Sequence, residues 1–227
     1  MSTIASNIAK VATRIREAAQ AAAREPDEVR LLAVSKTQPA EAIRQASAAG
    51  LSDFGENYLQ EALEKQAELA DLRLTWHFIG PIQSNKTKAI AEHFDWVHSV
   101  DRLKIAQRLS AQRPRDLPAL NVCLQVNVSG ETSKSGCEPQ EIASLANAVA
   151  ALPHLRLRGL MTIPEPTDNP AEQRAAFARL RQLQESLDLR LDTLSMGMSQ
   201  DLEAAVAEGA TWVRIGTALF GARTYSS

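Results

Sequence analysis

Residues 29–57 read VRLLAVSKTQPAEAIRQASAAGLSDFGEN, which is two short apolar runs separated by a longer segment with helical spacing. The first run, Val29–Ser35, has the length and the aliphatic residues of a buried strand. The segment Ala40–Ala49 predicts a helix, and Gly50 follows it, where a left-handed residue can end a helix. The second run, Ser52–Gly55, predicts another strand. This order predicts a parallel β-α-β unit.

The same alternation continues along the rest of the chain. Further strands are predicted at Thr75–Ile79, Trp96–Ser99, Ala119–Val126, Leu155–Met161, Asp192–Ser195 and Trp212–Ile215. Further helices are predicted at Leu59–Ala70, Arg102–Arg113, Pro139–Ala151, Ala171–Leu187 and Asp201–Glu208. About eight strands alternating with helices favour an α/β fold that closes into a single (β/α)8 TIM-type barrel. An open doubly wound sheet is the alternative.

The segment that precedes the first strand, Met1–Arg24, predicts an extra N-terminal helix. Its apolar positions at helical spacing are Ile4, Ile8, Val11 and Ile15. A transit peptide is the alternative interpretation, but Glu17 and Glu25 argue against it. At later helix starts, Asp101 is expected to act as an N-cap and Pro39 to occupy the first helical position.

Composition limits the classes of function. The 227 residues fit one domain, 1–227, of the barrel size class. Lys+Arg 25 against Asp+Glu 27 gives a net charge of -2, so nothing favours nucleic acid or an anionic membrane as a partner. The sequence contains no apolar run of about 18 residues, so it predicts no membrane-spanning helix. The two cysteines indicate reduced thiols in a cytoplasmic protein, without a zinc cage or a disulfide framework. We expect a monomer.

A lysine follows the first predicted strand at the end where barrel proteins carry their chemistry. Lys36 comes directly after Leu31–Ser35, a buried run. Partial desolvation favours the neutral amine, which is the form that attacks an aldehyde. The alternative is a structural lysine that extends its ammonium group to solvent.

The last two strand ends predict an anion site. Gly197 and Gly216 permit close approach of the backbone, while Ser199 and Thr217 supply hydroxyl and amide donors at helix starts. The loops after strands seven and eight are the recurrent phosphate site of such barrels. Ordinary N-caps and turn glycines are the alternative interpretation.

Two more polar residues fall in predicted strands. Arg214 needs an acceptor at the barrel mouth, either a ligand nitrogen or carboxylate, or a structural ion pair with Glu56 or another acid. His77 is typical of a core histidine with a satisfied hydrogen bond, and a lining role is the second interpretation. Lys134, in the loop 130–136, could reach the mouth.

Ordered motifs spread along the chain resemble those of the pyridoxal phosphate homeostasis proteins, whose fold is similar to the barrel domain of alanine racemase (fold type III). The motifs are Ala33-Val34-Ser35-Lys36-Thr37, Phe54-Gly55-Glu56-Asn57-Tyr58, His77-Phe78-Ile79-Gly80, Gln83-Ser84-Asn85-Lys86, Val126-Asn127-Val128, Ser133-Lys134-Ser135-Gly136, Gly159-Leu160-Met161-Thr162-Ile163, Ser195-Met196-Gly197-Met198-Ser199, and Arg214-Ile215-Gly216-Thr217 with Phe220-Gly221. They cover nearly the whole chain.

The resemblance implies pyridoxal 5′-phosphate (PLP) as the cofactor, held as a Schiff base on Lys36. It implies phosphate contacts from Ser199, Gly216 and Thr217, and places Arg214 beside the pyridine nitrogen. Pocket-lining positions implied by it are Asn57, His77 and Met161. The chain departs from the family at Gln38, where many members carry a second lysine. Lys134 matches a family lysine.

Three functions follow as hypotheses. The first is a non-catalytic protein that binds PLP and serves vitamin B6 homeostasis, with PLP-dependent apoenzymes as candidate partners. The second is an amino-acid racemase, which needs an acid/base on each face of the substrate; Tyr58 and Tyr225 are the only tyrosines that could assist Lys36. The third is a cofactor-free Schiff-base aldolase, which has no use for a pyridine partner.

Overall fold

A computed structural model of the chain describes residues 3–130 and 135–221, and in these residues eight parallel strands close into a barrel. The strands are β1 (Arg30–Val34), β2 (Asp53–Glu56), β3 (Thr75–Phe78), β4 (Trp96–Val100), β5 (Leu120–Gln125), β6 (Leu155–Met161), β7 (Thr193–Ser195) and β8 (Trp212–Ile215). Each strand pairs with the next, and β8 pairs with β1. The predicted barrel is confirmed, and the open sheet is wrong.

Helices surround the barrel, and those that lie between the first and the last strand connect consecutive strands. They are α1 (Ile4–Ala21), α2 (Ala40–Ala48), α3 (Leu59–Glu68), α4 (Thr87–His93), α5 (Leu103–Gln112), α6 (Ile142–Ala150), α7 (Pro170–Glu185), α8 (Leu202–Ala207) and α9 (Thr217–Phe220). The sequence did not predict α4 and α9, because helices of seven and four residues carry too few apolar positions to show a period.

The extra N-terminal helix is confirmed, whereas two predicted helix starts are wrong. One face of α1 is buried against the outer layer, where it packs on α8 and α9; the buried residues are Ile8, Val11, Ile15, Ala18 and Ala19. Asp101 does not cap α5, whose N-cap is Arg102; the Asp101 carboxylate accepts a hydrogen bond from the Arg102 guanidinium instead. Pro39 is the N-cap of α2 rather than its first residue.

The barrel has a floor, where the strands begin, and a mouth, where they end. Gly50 and Gly209 have φ of 101° and 100° and follow α2 and α8 as predicted, so each helix closes before the chain returns to the floor. One large core of buried side chains joins the barrel to the helices around it. In the part of the chain that the structure describes, no helix is long and apolar enough to cross a membrane. That residues 1–227 form a single domain stays a prediction.

Candidate functional site

The barrel mouth collects the residues that were predicted to follow strands. Lys36 lies two positions beyond β1, and Asn57 directly follows β2. Ser199 lies in the loop after β7, and Gly216 follows β8 and leads into α9 at Thr217. Because all strands are parallel, their carboxyl ends meet at one mouth. Thr217 is exposed, and the other four residues are half-buried, so a ligand from solvent can reach them.

The backbone around Lys36 turns sharply and is fixed by side-chain contacts. Thr37 has a φ of 63°, which is uncommon for a residue other than glycine. Its N–H donates to Oε1 of Glu61 at 2.6 Å, and the N–H of Ser35 donates to the carbonyl of Gly55 at 3.0 Å. The turn at Thr37 and these two contacts fix the backbone on both sides of Lys36.

A buried ionic cluster supports this turn; we call Ser35, Glu56, Glu61 and Lys65 the Lys65 cluster. The Lys65 ammonium donates to the Ser35 carbonyl at 2.7 Å and to Oε1 of Glu56 at 2.8 Å, and it also contacts Glu61. The Ser35 hydroxyl donates to the same Glu56 oxygen at 2.6 Å. Burial raises the pKa of Glu56, and the positive charge of Lys65 opposes that shift. Lys65 therefore compensates the charge of the buried Glu56 carboxylate and holds Ser35, the residue before Lys36.

Sequence analysis missed Lys65, because a lysine in the middle of a charged helix is typical of a solvated face. The only available signal was its spacing of four residues from Glu61, which predicts a helical ion pair but not its burial. The suggested ion pair between Arg214 and Glu56 is wrong, since Glu56 pairs with Lys65.

Asn57 brings an unsatisfied acceptor to the mouth. Its Oδ1 is buried and has no hydrogen-bond partner among the described residues. Its backbone packs so closely on Gly80 that a Cβ added there would lie 2.5 Å from the Asn57 carbonyl oxygen. Buried polar atoms in proteins are nearly always hydrogen-bonded, so this atom is suited to a donor on a ligand.

Arg214 places a buried positive charge near the mouth. It is 4% exposed, and its Nη1 and Nη2 donate at 2.8 Å to the Ser195 hydroxyl and to the Thr162 carbonyl, respectively. Burial lowers the pKa of Arg214 to about 10, so the guanidinium stays protonated at neutral pH. Within residues 3–130 and 135–221 no carboxylate forms an ion pair with it, which leaves the charge for a ligand acceptor.

Two predicted lining residues lie in the barrel interior. Met161, the last residue of β6, is fully buried beside Trp96 and Cys123. His77 is fully buried as well, and its ring nitrogens lie 2.9 Å from Oδ1 of Asp53 and 2.9 Å from Nε2 of His98. His77 thus has the satisfied hydrogen bonds of a core histidine. Direct contact of either residue with a ligand stays a prediction.

The loop after β7 carries the first half of the predicted anion site. Gly197 has a φ of 99°, and a Cβ added there would lie 2.5 Å from Cβ of Ala205, so only glycine fits. The Ser199 carbonyl accepts a hydrogen bond from Nη1 of Arg14 at 2.7 Å. Arg14 also pairs with Glu203 at the start of α8. The additional helix α1 therefore holds this loop in place.

The short helix after β8 carries the second half. Its first helical hydrogen bonds run from the N–H groups of Leu219 and Phe220 to the Gly216 carbonyl. The N–H groups of Thr217 and Ala218 come before these bonds, at the start of the helix, where N–H groups have no partner within the helix. The Asn7 side chain donates to the Leu219 carbonyl at 2.9 Å. No local pattern pointed to Asn7 or Arg14, because their partners are 212 and 185 residues away.

Two residues named in the sequence analysis, Lys134 and Tyr225, lie outside the described residues. Tyr58 lies inside them and is 54% exposed as the N-cap of α3.

Known proteins share this fold and most of this sequence. The sequence profile of the alanine racemase N-terminal domain matches residues 6–224. A barrel similar to this one forms part of alanine racemase from Corynebacterium glutamicum, with a TM-score of 0.67 and 22% identity over 93% of this chain and 61% of that chain. That level of identity establishes the fold alone. The chain thus has the barrel of the alanine racemase N-terminal domain class.

Closer relatives define the family within that class. A pyridoxal phosphate homeostasis protein of Pseudomonas aeruginosa is 77% identical over 227 residues, covering 100% of this chain and 99% of the relative. One from Escherichia coli K12 is 53% identical over 232 residues, with 100% and 99% covered. The structure of PipY from Synechococcus elongatus with PLP bound has a TM-score of 0.84 and 43% identity, covering 96% and 100%. The chain belongs to the pyridoxal phosphate homeostasis protein family.

Proposed function

We propose that this chain binds PLP at the barrel mouth, holds it as a Schiff base on Lys36, and serves PLP homeostasis without catalytic turnover. The observation that carries the proposal is one mouth that brings together an amine, an Asn57 oxygen with no hydrogen-bond partner among the described residues, and the buried Arg214 guanidinium. The PLP-bound PipY structure, which has the same barrel, supports the choice of ligand.

The residues present fit the chemistry of this cofactor. When bound, PLP supplies an aldehyde that condenses with amines and a ring that withdraws electrons from them. Lys36 is the amine, and the donors for the phosphate are Ser199, Gly216 and Thr217. Arg214 would donate a hydrogen bond to the pyridine nitrogen. Since a guanidinium does not transfer its proton at neutral pH, that nitrogen would stay unprotonated and the ring would be a weak electron sink.

A weak electron sink argues against a racemase, and so does the lack of a packed second acid/base among the described residues. Racemisation needs acid/base groups on both faces of a substrate carbon. Tyr58, the one tyrosine among the described residues, is 54% exposed rather than directed by packing. We expect no interconversion of L- and D-alanine by the PLP-loaded protein, as measured by chiral chromatography. Turnover that Lys36→Ala abolishes would restore the racemase hypothesis.

We further propose a cytoplasmic monomer that passes PLP to apoenzymes. Three of the large apolar side chains that are exposed, Tyr58, Ile163 and Met198, follow β2, β6 and β7 and so lie on the rim of the mouth. Such a rim suits a transient partner rather than a permanent one. Light scattering gives the mass, and activation of a PLP-dependent apoenzyme by the loaded protein gives the transfer rate.

The direct test is the visible absorption spectrum of the PLP-loaded protein before and after borohydride. We expect a band that reduction removes, together with a phosphopyridoxyl adduct on Lys36 in peptide mass mapping. A protein that takes up no added PLP would refute the proposal and favour the aldolase, while an adduct on another lysine would move the site.

The phosphate contacts give a separate prediction. Ser199→Ala and Thr217→Ala are each expected to weaken PLP retention by about threefold to tenfold, since each removes a hydrogen bond to a charged group. The adduct on Lys36 should still form at high PLP concentration. Equilibrium dialysis measures the affinity. Unchanged affinity in both variants would contradict the phosphate assignment.

The role of α1 gives another prediction with a matched control. Arg14→Ala removes the hydrogen bond to the Ser199 carbonyl and the pair with Glu203, and it should weaken PLP retention by about threefold. The control is Arg16→Ala on the same helix, because within residues 3–130 and 135–221 the Arg16 side chain forms its hydrogen bond with Thr13 of α1 itself rather than with the loop. Equal effects of the two variants would show that α1 does not act through the loop.

A further inference from the structure

An unbroken row of polar side chains joins the floor of the barrel to Arg214 near its mouth; we call it the barrel relay. Its members in order are Asp53, His77, His98, Ser195 and Arg214. Successive atoms lie 2.9, 2.9, 2.7 and 2.8 Å apart, so each contact is a hydrogen bond. The two histidines and Ser195 are fully buried, and Asp53 opens to solvent only partly.

The two ends of the barrel relay determine which partner donates each hydrogen bond in it. A guanidinium can only donate, so Arg214 donates to the Ser195 hydroxyl. A carboxylate can only accept, so Asp53 accepts from Nε2 of His77. Burial alone would raise the pKa of Asp53, but the hydrogen bond from His77 and the other groups around the carboxylate hold it below its usual value. Both ends therefore favour hydrogen bonds that are all donated in the direction from Arg214 to Asp53.

The donors of the two middle hydrogen bonds follow from the neutral state of the two histidines. Burial lowers the pKa of His77, and burial together with the positive charge of Arg214 lowers that of His98 well below its usual value. A neutral His77 with its proton on Nε2 accepts at Nδ1 from Nε2–H of His98. His98 then accepts at Nδ1 from the Ser195 hydroxyl, which leaves the Ser195 lone pairs to Arg214.

Stacked rings enclose the histidine nearest the floor. His77 lies parallel to Trp96 at 5.5 Å and edge-on to Trp212 at 5.0 Å. The guanidinium groups of Arg158 and Arg30 cover these two indoles, each at 4.6 Å from the ring centre. These two guanidinium groups carry fixed positive charges, which oppose a positive charge on His77. The packing therefore maintains the neutral state that the donor order requires.

We propose that Asp53, at the floor of the barrel, is a positioning residue for Arg214 and acts on it through His77, His98 and Ser195. The inference rests on the proposed role of Arg214 at the PLP ring. With the opposite tautomers, Ser195 would accept from both His98 and Arg214, and its own proton would be left without a relay partner. Asp53 prevents this arrangement and so keeps the Ser195 lone pairs available to the Arg214 guanidinium.

The first test needs no variant. In the PLP-loaded protein labelled with ¹⁵N at its four histidines, we expect His77 and His98 to be neutral at neutral pH with the proton on Nε2. The ring nitrogen shifts report the tautomer directly, and assignment uses His93→Gln and His154→Gln. A proton on Nδ1 of either relay histidine, or an imidazolium, would overturn the proposal.

The second test compares relay variants with conservative partners. Asp53→Ala and His98→Leu should weaken PLP retention by about tenfold and move the absorption maximum, because each releases the Arg214 guanidinium from its orientation. Asp53→Asn keeps an acceptor, and His98→Gln keeps both an acceptor and a donor, so both should stay within about threefold of wild type.

A floor aspartate outside the relay serves as the structural control. Asp95 accepts a hydrogen bond from the Trp76 backbone at 2.8 Å, and its charge raises the pKa of His77. Asp95→Ala removes that charge and so keeps His77 neutral, and it should lower the melting temperature without moving the absorption maximum. Arg214→Met separates the two proposals. If Arg214→Met binds PLP as wild type does, the proposed function of Arg214 fails. If Arg214→Met is impaired but Asp53→Ala and His98→Leu keep wild-type affinity and absorption, only the relay proposal fails.

Discussion

Lys36→Ala is expected to abolish the covalent chromophore of the PLP-loaded protein and to leave the fold intact. No other side chain is proposed to condense with the aldehyde, so borohydride should fix no adduct. The remaining phosphate and ring contacts should still hold PLP, but with an affinity at least about a hundredfold lower, or about 2.7 kcal/mol. The absorption spectrum, the adduct map and equilibrium dialysis measure the three effects.

The control for this variant is another lysine near a helix start. Lys88 is 72% exposed on α4, and Lys88→Ala should keep the wild-type spectrum and adduct. The melting temperature of PLP-free Lys36→Ala should lie within a few degrees of the wild-type value, since Lys36 is half-buried at the mouth rather than in the core. A variant that stays yellow, with an adduct elsewhere, would contradict the assignment of Lys36.

The sequence was sufficient to predict the barrel because each strand and its following helix carry a local pattern. Seven-residue α4 and four-residue α9 are too short to show one, and both were missed. The strand ends could be located for the same reason, and in a parallel barrel those ends alone bring Lys36, Asn57 and Gly216 to one mouth.

What the sequence could not predict are contacts between residues far apart in the chain. The hydrogen bond between His98 and Ser195 spans 97 positions, and the one from Arg14 to Ser199 spans 185. His98 did carry a usable signal, because it is a polar residue inside a predicted apolar strand, as His77 is. The assignment of His77 as a core histidine used that signal, and the same criterion applied to β4 would have found the second histidine of the barrel relay.

Lys65→Met is expected to have the largest effect on stability. It removes the partner of the buried Glu56 carboxylate, and breaking a buried ion pair in this way costs about 3–5 kcal/mol of unfolding free energy. It also releases the Ser35 carbonyl beside Lys36, so PLP retention should fall as well. The control is Lys104→Met on α5, where the lysine is exposed and the expected change is within about 0.5 kcal/mol.

The loss of unfolding free energy in Lys65→Met should change with pH in one direction. Without Lys65, the folded-state pKa of Glu56 rises further above its unfolded value, because burial is no longer opposed by a positive charge. A group of this kind favours the folded state below its unfolded pKa and loses that contribution as the pH rises through the folded pKa. The deficit of Lys65→Met relative to wild type should therefore shrink as the pH is lowered.

Urea unfolding of a double variant distinguishes charge from shape. Glu56→Gln combined with Lys65→Met removes the buried charge, and the glutamine can still accept from the Ser35 hydroxyl. We expect the double variant to recover about 2 kcal/mol relative to Lys65→Met alone, so the two changes are strongly non-additive. If Lys65→Met costs less than about 1 kcal/mol, or if the second change adds to the first, the Lys65 cluster does not support the turn at Lys36 through its charges.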